Sequence, residues 1–284
     1  MQIKMVGVLG CGLMGSGIAQ VCAASGYKTI VREVNDQYLD KGLSRIKKFV
    51  DDGVAKGKVS ADARDKTIGN LSGTTTFEAL RDCDLVIEAI VENLEEKKQT
   101  YTALETCVKP HTIFVSNTSS LCITELAAST PRPDRFGGLH FFNPVPIMKL
   151  VEVIRALTTS DGTYETLMAF AKSLGKEPVT APDRPGFIVN RLLVPYLLDA
   201  IRAYENGLGT LEDIDKGMTL GCGYPMGPFT LLDFVGLDTT YYIANIMFDE
   251  FREPAYAPPP LLKRMVLAGR MGRKSGRGFY TYDR

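Results

Sequence analysis

Residues 4–33, KMVGVLGCGLMGSGIAQVCAASGYKTIVRE, decide the fold of this chain. A short β-rich run, Lys4 to Leu9, leads into Gly10-Cys11-Gly12-Leu13-Met14-Gly15. Helical spacing follows from Ile18 to Ser25 and stops at Gly26, and a second β-rich run, Lys28 to Val31, ends at Arg32-Glu33. A glycine turn alone is a weak sign of a ligand site, because such turns are common. Strand, G-x-G-x-x-G, helix, strand and terminal acid in that order are far more specific. Gly10 permits the tight turn, Gly12 lets backbone approach a pyrophosphate, and Gly15 lets the helix lie close on the sheet. The helix N-terminus offers unpaired N–H groups and the positive end of its dipole to phosphate. The pattern predicts a dinucleotide cradle made by Gly10, Gly12, Leu13, Met14 and Gly15.

Glu33 stands where an acid accepts hydrogen bonds from ribose hydroxyls. The same charge repels the 2′-phosphate of NADP, so NAD is the expected cofactor and NADP the less favoured one. Arg32 works in the opposite direction, since a guanidinium there can pair with that phosphate.

Bulk properties narrow the function classes. The 284 residues allow one large or two medium domains. The 33 basic and 33 acidic residues cancel, which leaves none of the basic field that a nucleic-acid binder needs. No apolar run reaches the roughly 20 residues of a membrane span. The N-terminus enters a strand pattern at once, without a signal or transit pattern. Six cysteines lie scattered without CxxC spacing, and there are two histidines. That usage predicts free thiols in a reducing cytoplasm and no metal site.

Beyond the first unit, Asn35 or Asp36 can cap a helix through about Ala55, and a second helix is expected from Ser60 to about Leu71. This helical hairpin is an insertion in a minimal βαβ unit and can cover a ligand; Lys56 and Lys58 lie at its tip, where a solvated face is the plainer reading. An extended piece is expected at Thr74 to Phe77. Leu85 to Ile90, a largely apolar run, and Thr112 to Ser116 read as inner parallel strands. Residues past the carboxyl ends of such strands face the ligand crevice. Glu92 and Lys97 lie there after the first strand, and Asn117-Thr118-Ser119-Ser120 after the second. A first-turn acid, a surface lysine and a cap for the helix Ile123 to Ala128 are the bland alternatives.

In Gly137 to Val153, GGLHFFNPVPIMKLVEV, His140 and Glu152 each sit in apolar surroundings on successive strands, Phe136 to Phe141 and Lys149 to Ile154. Ionisable groups there carry a desolvation cost that a partner relieves. The two can serve each other across the Asn143-Pro144-Val145-Pro146 turn; read alone, His140 fits a core histidine on a backbone carbonyl equally well. A helix over Asp161 to Leu174 and a strand over Glu177 to Thr180 follow. Ala181-Pro182-Asp183-Arg184-Pro185-Gly186 reads as a linker, after which β-rich runs nearly vanish. Helices are expected over 187–204, 210–220, 229–235, 238–251 and 261–268, with Asn190 as an amide in an otherwise apolar segment. The fold class is α/β: a Rossmann-type domain with a mainly parallel sheet and the inserted hairpin over 1–183, then an all-α domain over 184–284 for substrate and dimerisation.

GCGLMGSGIAQ at 10–20, VIEAIVENLEEK at 86–97, SNTSSL at 116–121, GLHFFNPVPIMKLVEV at 138–153, PGFIVNRLLVPYL at 185–197, GYPMGPFTLLDFVGLD at 223–238 and GRKSGRGFY at 272–280 occur in order. Together they strongly resemble the short-chain L-3-hydroxyacyl-CoA dehydrogenases over essentially the full length. The resemblance implies reversible oxidation of a (3S)-3-hydroxyacyl-CoA, 3-hydroxybutyryl-CoA being the short-chain case, by NAD to the 3-oxoacyl-CoA, in fatty-acid or butanoate metabolism. It implies His140 as general base with Glu152 as its partner, and Ser119 and Asn190 as contacts to the reacting oxygen or thioester. Glu33, Glu92, Lys97, Asn117 and Asn143 would lie around the cofactor, and Lys56 near CoA. Ser119 and Asn190 come from different domains, so the site would complete when the two close together. Glu33 departs from the aspartate commoner there. The apolar helical domain is expected to form a homodimer. Alternatives are an NADP-preferring version, a hydroxyisobutyrate-type β-hydroxyacid dehydrogenase with a catalytic lysine, or a nucleotide-binding protein without turnover.

Overall fold

Residues 2–282 are described by a computed structural model, and they divide into two compact units, one ending at Asp183 and the other beginning at Arg184. In the first unit, β1 (Met5–Leu9), α1 (Leu13–Ala24) and β2 (Lys28–Arg32) form the opening βαβ turn. The hairpin α2 (Asp36–Ala55) and α3 (Ala61–Gly69) follows, then β3 (Leu71–Thr74), β4 (Leu85–Glu88), α4 (Leu94–Glu105), β5 (Ile113–Ser116) and α5 (Ile123–Ala128). The unit finishes with β6 (Phe136–Phe141), β7 (Leu150–Arg155), α6 (Asp161–Ser173) and β8 (Glu177–Pro182).

Among the described residues these strands make one eight-stranded sheet in the order β3-β2-β1-β4-β5-β6-β7-β8. All neighbours are parallel except β6 and β7. The order reverses between β1 and β4, and the carboxyl ends beside such a switch point form a crevice. The strands there are buried along nearly their whole length, with Val6, Val8, Leu85, Ile87 and Val115 in a core shared with Ile18, Val21, Val153 and Phe170. Covered on both faces, they carry largely apolar runs, broken by the buried Glu88 and Ser116, and not an alternating pattern.

The boundaries differ from expectation where tertiary pairing overrides local pattern. Helix α1 begins at Leu13, not Ile18, because Gly12 is its N-cap and the glycine motif itself forms the first turns. Helix α3 ends at Gly69 and the strand after it is Leu71–Thr74, not 74–77, because this segment pairs with β2, Thr29 to Leu71 through Arg32 to Thr74. Strand β8 extends to Pro182, inside the expected linker, held by Arg155. The linker is anchored further: the Asp183 carboxylate accepts from the Ile123 and Thr124 N–H groups at 2.8 and 2.7 Å and from Thr124 Oγ1 at 2.6 Å. It thereby caps α5, whose own N-cap residue, Cys122, makes no side-chain cap.

The second unit is helical: α7 (Val189–Glu205), α8 (Leu211–Cys222), α9 (Pro228–Val235), α10 (Leu237–Phe251) and α11 (Pro260–Leu267). Its core joins Val194, Leu198, Ile201, Phe229, Leu232, Ala244 and Met247. Helix α7 starts two residues later than expected because Gly186 and Phe187 both take positive φ, and it continues through Pro195. Among the described residues no helix is long and apolar enough to cross a membrane.

Candidate active site

Strands β6 and β7 set His140 directly opposite Glu152. Facing residues on one side of an antiparallel pair bring their side chains together, and His140 Nδ1 lies 2.6 Å from Glu152 Oε2. The His140 side chain is 8% exposed and Glu152 is fully buried. The Phe142 ring packs 4.5 Å from the imidazole. A buried carboxylate on Nδ1 orients the ring, selects its tautomer and stabilises the imidazolium when a proton arrives at Nε2.

The glycine motif makes a cradle that fits a dinucleotide. A Cβ on Gly10, where φ is +90°, would sit 2.6 Å from the Ala89 carbonyl oxygen, and one on Gly15 would sit 1.9 Å from that of Gly10. The turn is therefore wound as tightly as backbone allows. A Cβ on Gly12 would meet nothing within 4 Å, so the mouth of the cradle is open. Helix α1 carries no side-chain N-cap and no acid in its first turn, which leaves its amino end electropositive toward that opening. Leu13 is exposed at the mouth, whereas Met14 packs against the core. Glu33 accepts from the Cys11 N–H at 2.7 Å and the Val34 N–H at 2.9 Å, which ties the acid after β2 to the loop after β1. The Arg32 guanidinium stacks 4.2 Å over Phe77.

Beyond β4 and β5 lies a buried polar cluster. Lys97, read as a surface lysine in its bland alternative, is 1% exposed; its Nζ lies 2.5 Å from Glu88 Oε1 and 3.1 Å from Glu92 Oε2. Glu88 also accepts from the Ile90 N–H at 2.8 Å and from Ser116 Oγ at 2.7 Å. Glu92 Oε1 accepts from Thr118 Oγ1, from the Ser119 N–H at 3.1 Å and from Ser120 Oγ at 3.2 Å. Burial acts to lower the Lys97 pKa, but Glu88 and Glu92 outweigh it and hold the ammonium above its ordinary value. Burial likewise acts to raise Glu92, and Lys97 with the hydrogen bonds from Thr118 and Ser119 prevails, leaving it below the usual carboxylate range. Ser119 is not a cap for α5, since Asp183 performs that task.

Asn117 Oδ1 accepts from the Phe141 N–H at 2.9 Å, so it ties β5 to β6 next to His140. Asn143 lies exposed in the turn between β6 and β7, before a cis bond to Pro144. That turn packs on α1, where a Cβ on Gly17 would come within 2.9 Å of Val145. It is held by a residue that sequence reasoning passed over: buried Lys176 donates to the Val145 and Met148 carbonyls at 2.6 and 2.8 Å. Glu88 was passed over as well; an acid inside the apolar run LVIEAI was its signal. Lys56 is exposed at the end of α2, outside this cluster, and Asn190 stands on the first turn of α7 in the second unit. Among the described residues no group of three or more metal-ligating side chains comes together.

The sequence pattern of the 3-hydroxyacyl-CoA dehydrogenase NAD binding domain matches residues 5–184, and that of the 3-hydroxyacyl-CoA dehydrogenase C-terminal domain matches 186–282. The chain is 50% identical to a 3-hydroxybutyryl-CoA dehydrogenase of Mycobacterium tuberculosis, over 99% of each chain. It is 49% identical to the human mitochondrial hydroxyacyl-coenzyme A dehydrogenase, over 99% of this chain and 91% of that one. The crystal structure of (S)-3-hydroxybutyryl-CoA dehydrogenase PaaH1 from Ralstonia eutropha superposes with a TM-score of 0.96, at 42% identity and with all of both chains covered. With cradle, strand-end cluster and helical unit in one chain, and both domain patterns matched along its length, the chain belongs to the 3-hydroxyacyl-CoA dehydrogenase family.

Proposed function

We propose that the chain catalyses the reversible NAD-dependent oxidation of (3S)-3-hydroxyacyl-CoA, with 3-hydroxybutyryl-CoA as the short-chain substrate, to the 3-oxoacyl-CoA. The observation that carries this reading is the His140–Glu152 pair at 2.6 Å, in the same unit as an open dinucleotide cradle. The substrate named in the Mycobacterium and Ralstonia relatives supports the acyl-CoA class. When bound, a nicotinamide dinucleotide supplies the acceptor for the hydride leaving C3. His140 takes the C3 hydroxyl proton at Nε2, because Nδ1 is committed to Glu152. Glu152 balances the imidazolium until the proton moves on, and in the reverse direction His140 returns it. Ser119 and Asn190 contact the reacting oxygen or thioester, Lys56 lies toward CoA, and Glu92, Lys97, Asn117 and Asn143 border the cofactor. A lysine-based hydroxyacid dehydrogenase has no use for the buried His–Glu pair, which argues against that rival. The test is acetoacetyl-CoA with NADH, followed at the reduced nicotinamide band; loss of that absorbance supports the reading, and no change with either NADH or NADPH defeats it.

Glu33 favours NAD over NADP through its charge, which lies where a 2′-phosphate would come. Glu33→Gln keeps the side chain's shape and removes the charge, so the kcat/KM preference for NAD over NADP should fall by about tenfold or more. An unchanged preference, with Arg32 intact, would remove Glu33 from this role.

A homodimer through the helical unit belongs to the same reading. That unit carries an apolar groove of about 390 Å³ lined by Ile188, Leu192, Tyr196, Tyr224 and Met226, with Leu192 72% exposed. Continuous apolar surface of this kind is a protein contact in waiting. Sedimentation should give twice the 31.1 kDa chain mass; a monomer alone at micromolar concentration would refute the dimer. A cytoplasmic setting is supported by six free thiols.

A further inference from the structure

The buried cluster beyond β4 contains a charge that proton transfer at His140 does not use. Glu88 lies wholly inside the sheet and accepts from Lys97, Ser116 and the Ile90 N–H. Such a group is costly to bury, and each of its donors lowers that cost. Lys97 lies between it and Glu92, at 2.5 and 3.1 Å. Tyr101, whose hydroxyl donates to the Val115 carbonyl at 3.1 Å, is held far above its ordinary pKa by burial and by Glu88, so it stays neutral. Two carboxylates and one ammonium leave the triad with one negative charge. Its position in the topology gives that charge a target. Glu33, after β2, marks the adenosine side of the crevice, and β1 with α1 marks the pyrophosphate. Strands β4 and β5 lie across the switch point from β2, which is the nicotinamide side. The oxidised nicotinamide ring is a cation and the reduced ring is neutral.

We propose that Glu88 is a positioning residue which, by fixing Lys97 and through it Glu92, gives the nicotinamide side of the crevice a net negative charge that favours oxidised over reduced cofactor. The proposal rests on the nicotinamide reading above and adds to it a member that touches neither substrate nor cofactor. Its scale follows from Coulomb's law: one unit of charge about 10 Å from a cation, at an effective dielectric near 20, changes affinity by about tenfold. The charge acts through a partly desolvated site, so salt screens it only weakly.

The test compares dissociation constants of NAD and NADH for the full-length protein, NADH by its own fluorescence and NAD by displacement of NADH. Glu88→Gln keeps the side chain's volume and removes one charge. The ratio of the NAD constant to the NADH constant should rise about tenfold, while Glu88→Asp, which restores the charge, should return the ratio to within about twofold of wild type. If both constants rise together in Glu88→Gln and their ratio holds, Glu88 is merely structural and the proposal fails. If Glu88→Gln does not accumulate as folded protein, Glu92→Gln removes the same unit of charge from the exposed side of the triad and must move the ratio in the same direction; an unmoved ratio overturns the proposal. If the wild type binds neither NAD nor NADH, the cofactor reading falls and the proposal falls with it, an outcome distinct from binding with an unchanged ratio.

Discussion

His140→Gln should lower kcat for acetoacetyl-CoA reduction by 10² to 10⁴-fold, roughly 3–5 kcal/mol of barrier, while NADH binding stays within about twofold of wild type. The glutamine amide can still meet the Glu152 carboxylate, so the variant keeps a partner for that fully buried acid and the fold survives. What it lacks is a ring nitrogen that can accept the hydroxyl proton. Steady-state kinetics with an independent NADH titration separate the two effects. A loss below tenfold would show that the proton leaves by another route.

Lys97→Met should cost about 3–5 kcal/mol of stability at neutral pH, measured by urea unfolding. The methionine fills the space, but Glu88 and Glu92 then face each other without the ammonium between them. The pH dependence has a definite sign. Glu92 is held below its ordinary value in the wild type, so its contribution is present above an unfolded value of about 4.3 and is lost as pH falls through the folded value. Lys97 is held above its ordinary value, so its contribution is present below about 10.4 and is lost as pH rises through the folded value. The deficit of the variant should therefore be widest between those limits and narrow in acid, where Glu92 protonates. A deficit under about 1 kcal/mol would mean that the pair is no more valuable than an exposed one.

Much of this architecture can be read from residues because its signals are local. The glycine motif, the acid after β2, the apolar inner strands and the cap at Asn35 each specify structure within a few positions. The His140–Glu152 contact was open to inference because two short strands joined by a tight turn leave little choice of register. Other features resisted for one physical reason: their partners are distant in sequence. Asp183 caps a helix that begins at Ile123. Lys176, just before β8, holds the Asn143–Lys149 turn. Lys97 looked like a surface residue because nothing in the helix it occupies announces Glu88, buried on the neighbouring strand. The early start of α1 has a different origin, since glycine is a poor helix former in isolation and here enters the first turn because Gly15 must approach Gly10.

The most direct test of the central claim follows the hydride itself. (3S)-3-Hydroxybutyryl-CoA carrying deuterium at C3 is incubated with the protein and NAD, and the reduced cofactor is weighed by mass spectrometry. Transfer of the C3 deuterium into NADH, with acetoacetyl-CoA as the other product and no reaction from the (3R) isomer, is the predicted result. Formation of NADH without the label, or no reduced cofactor from the (3S) substrate, would contradict it.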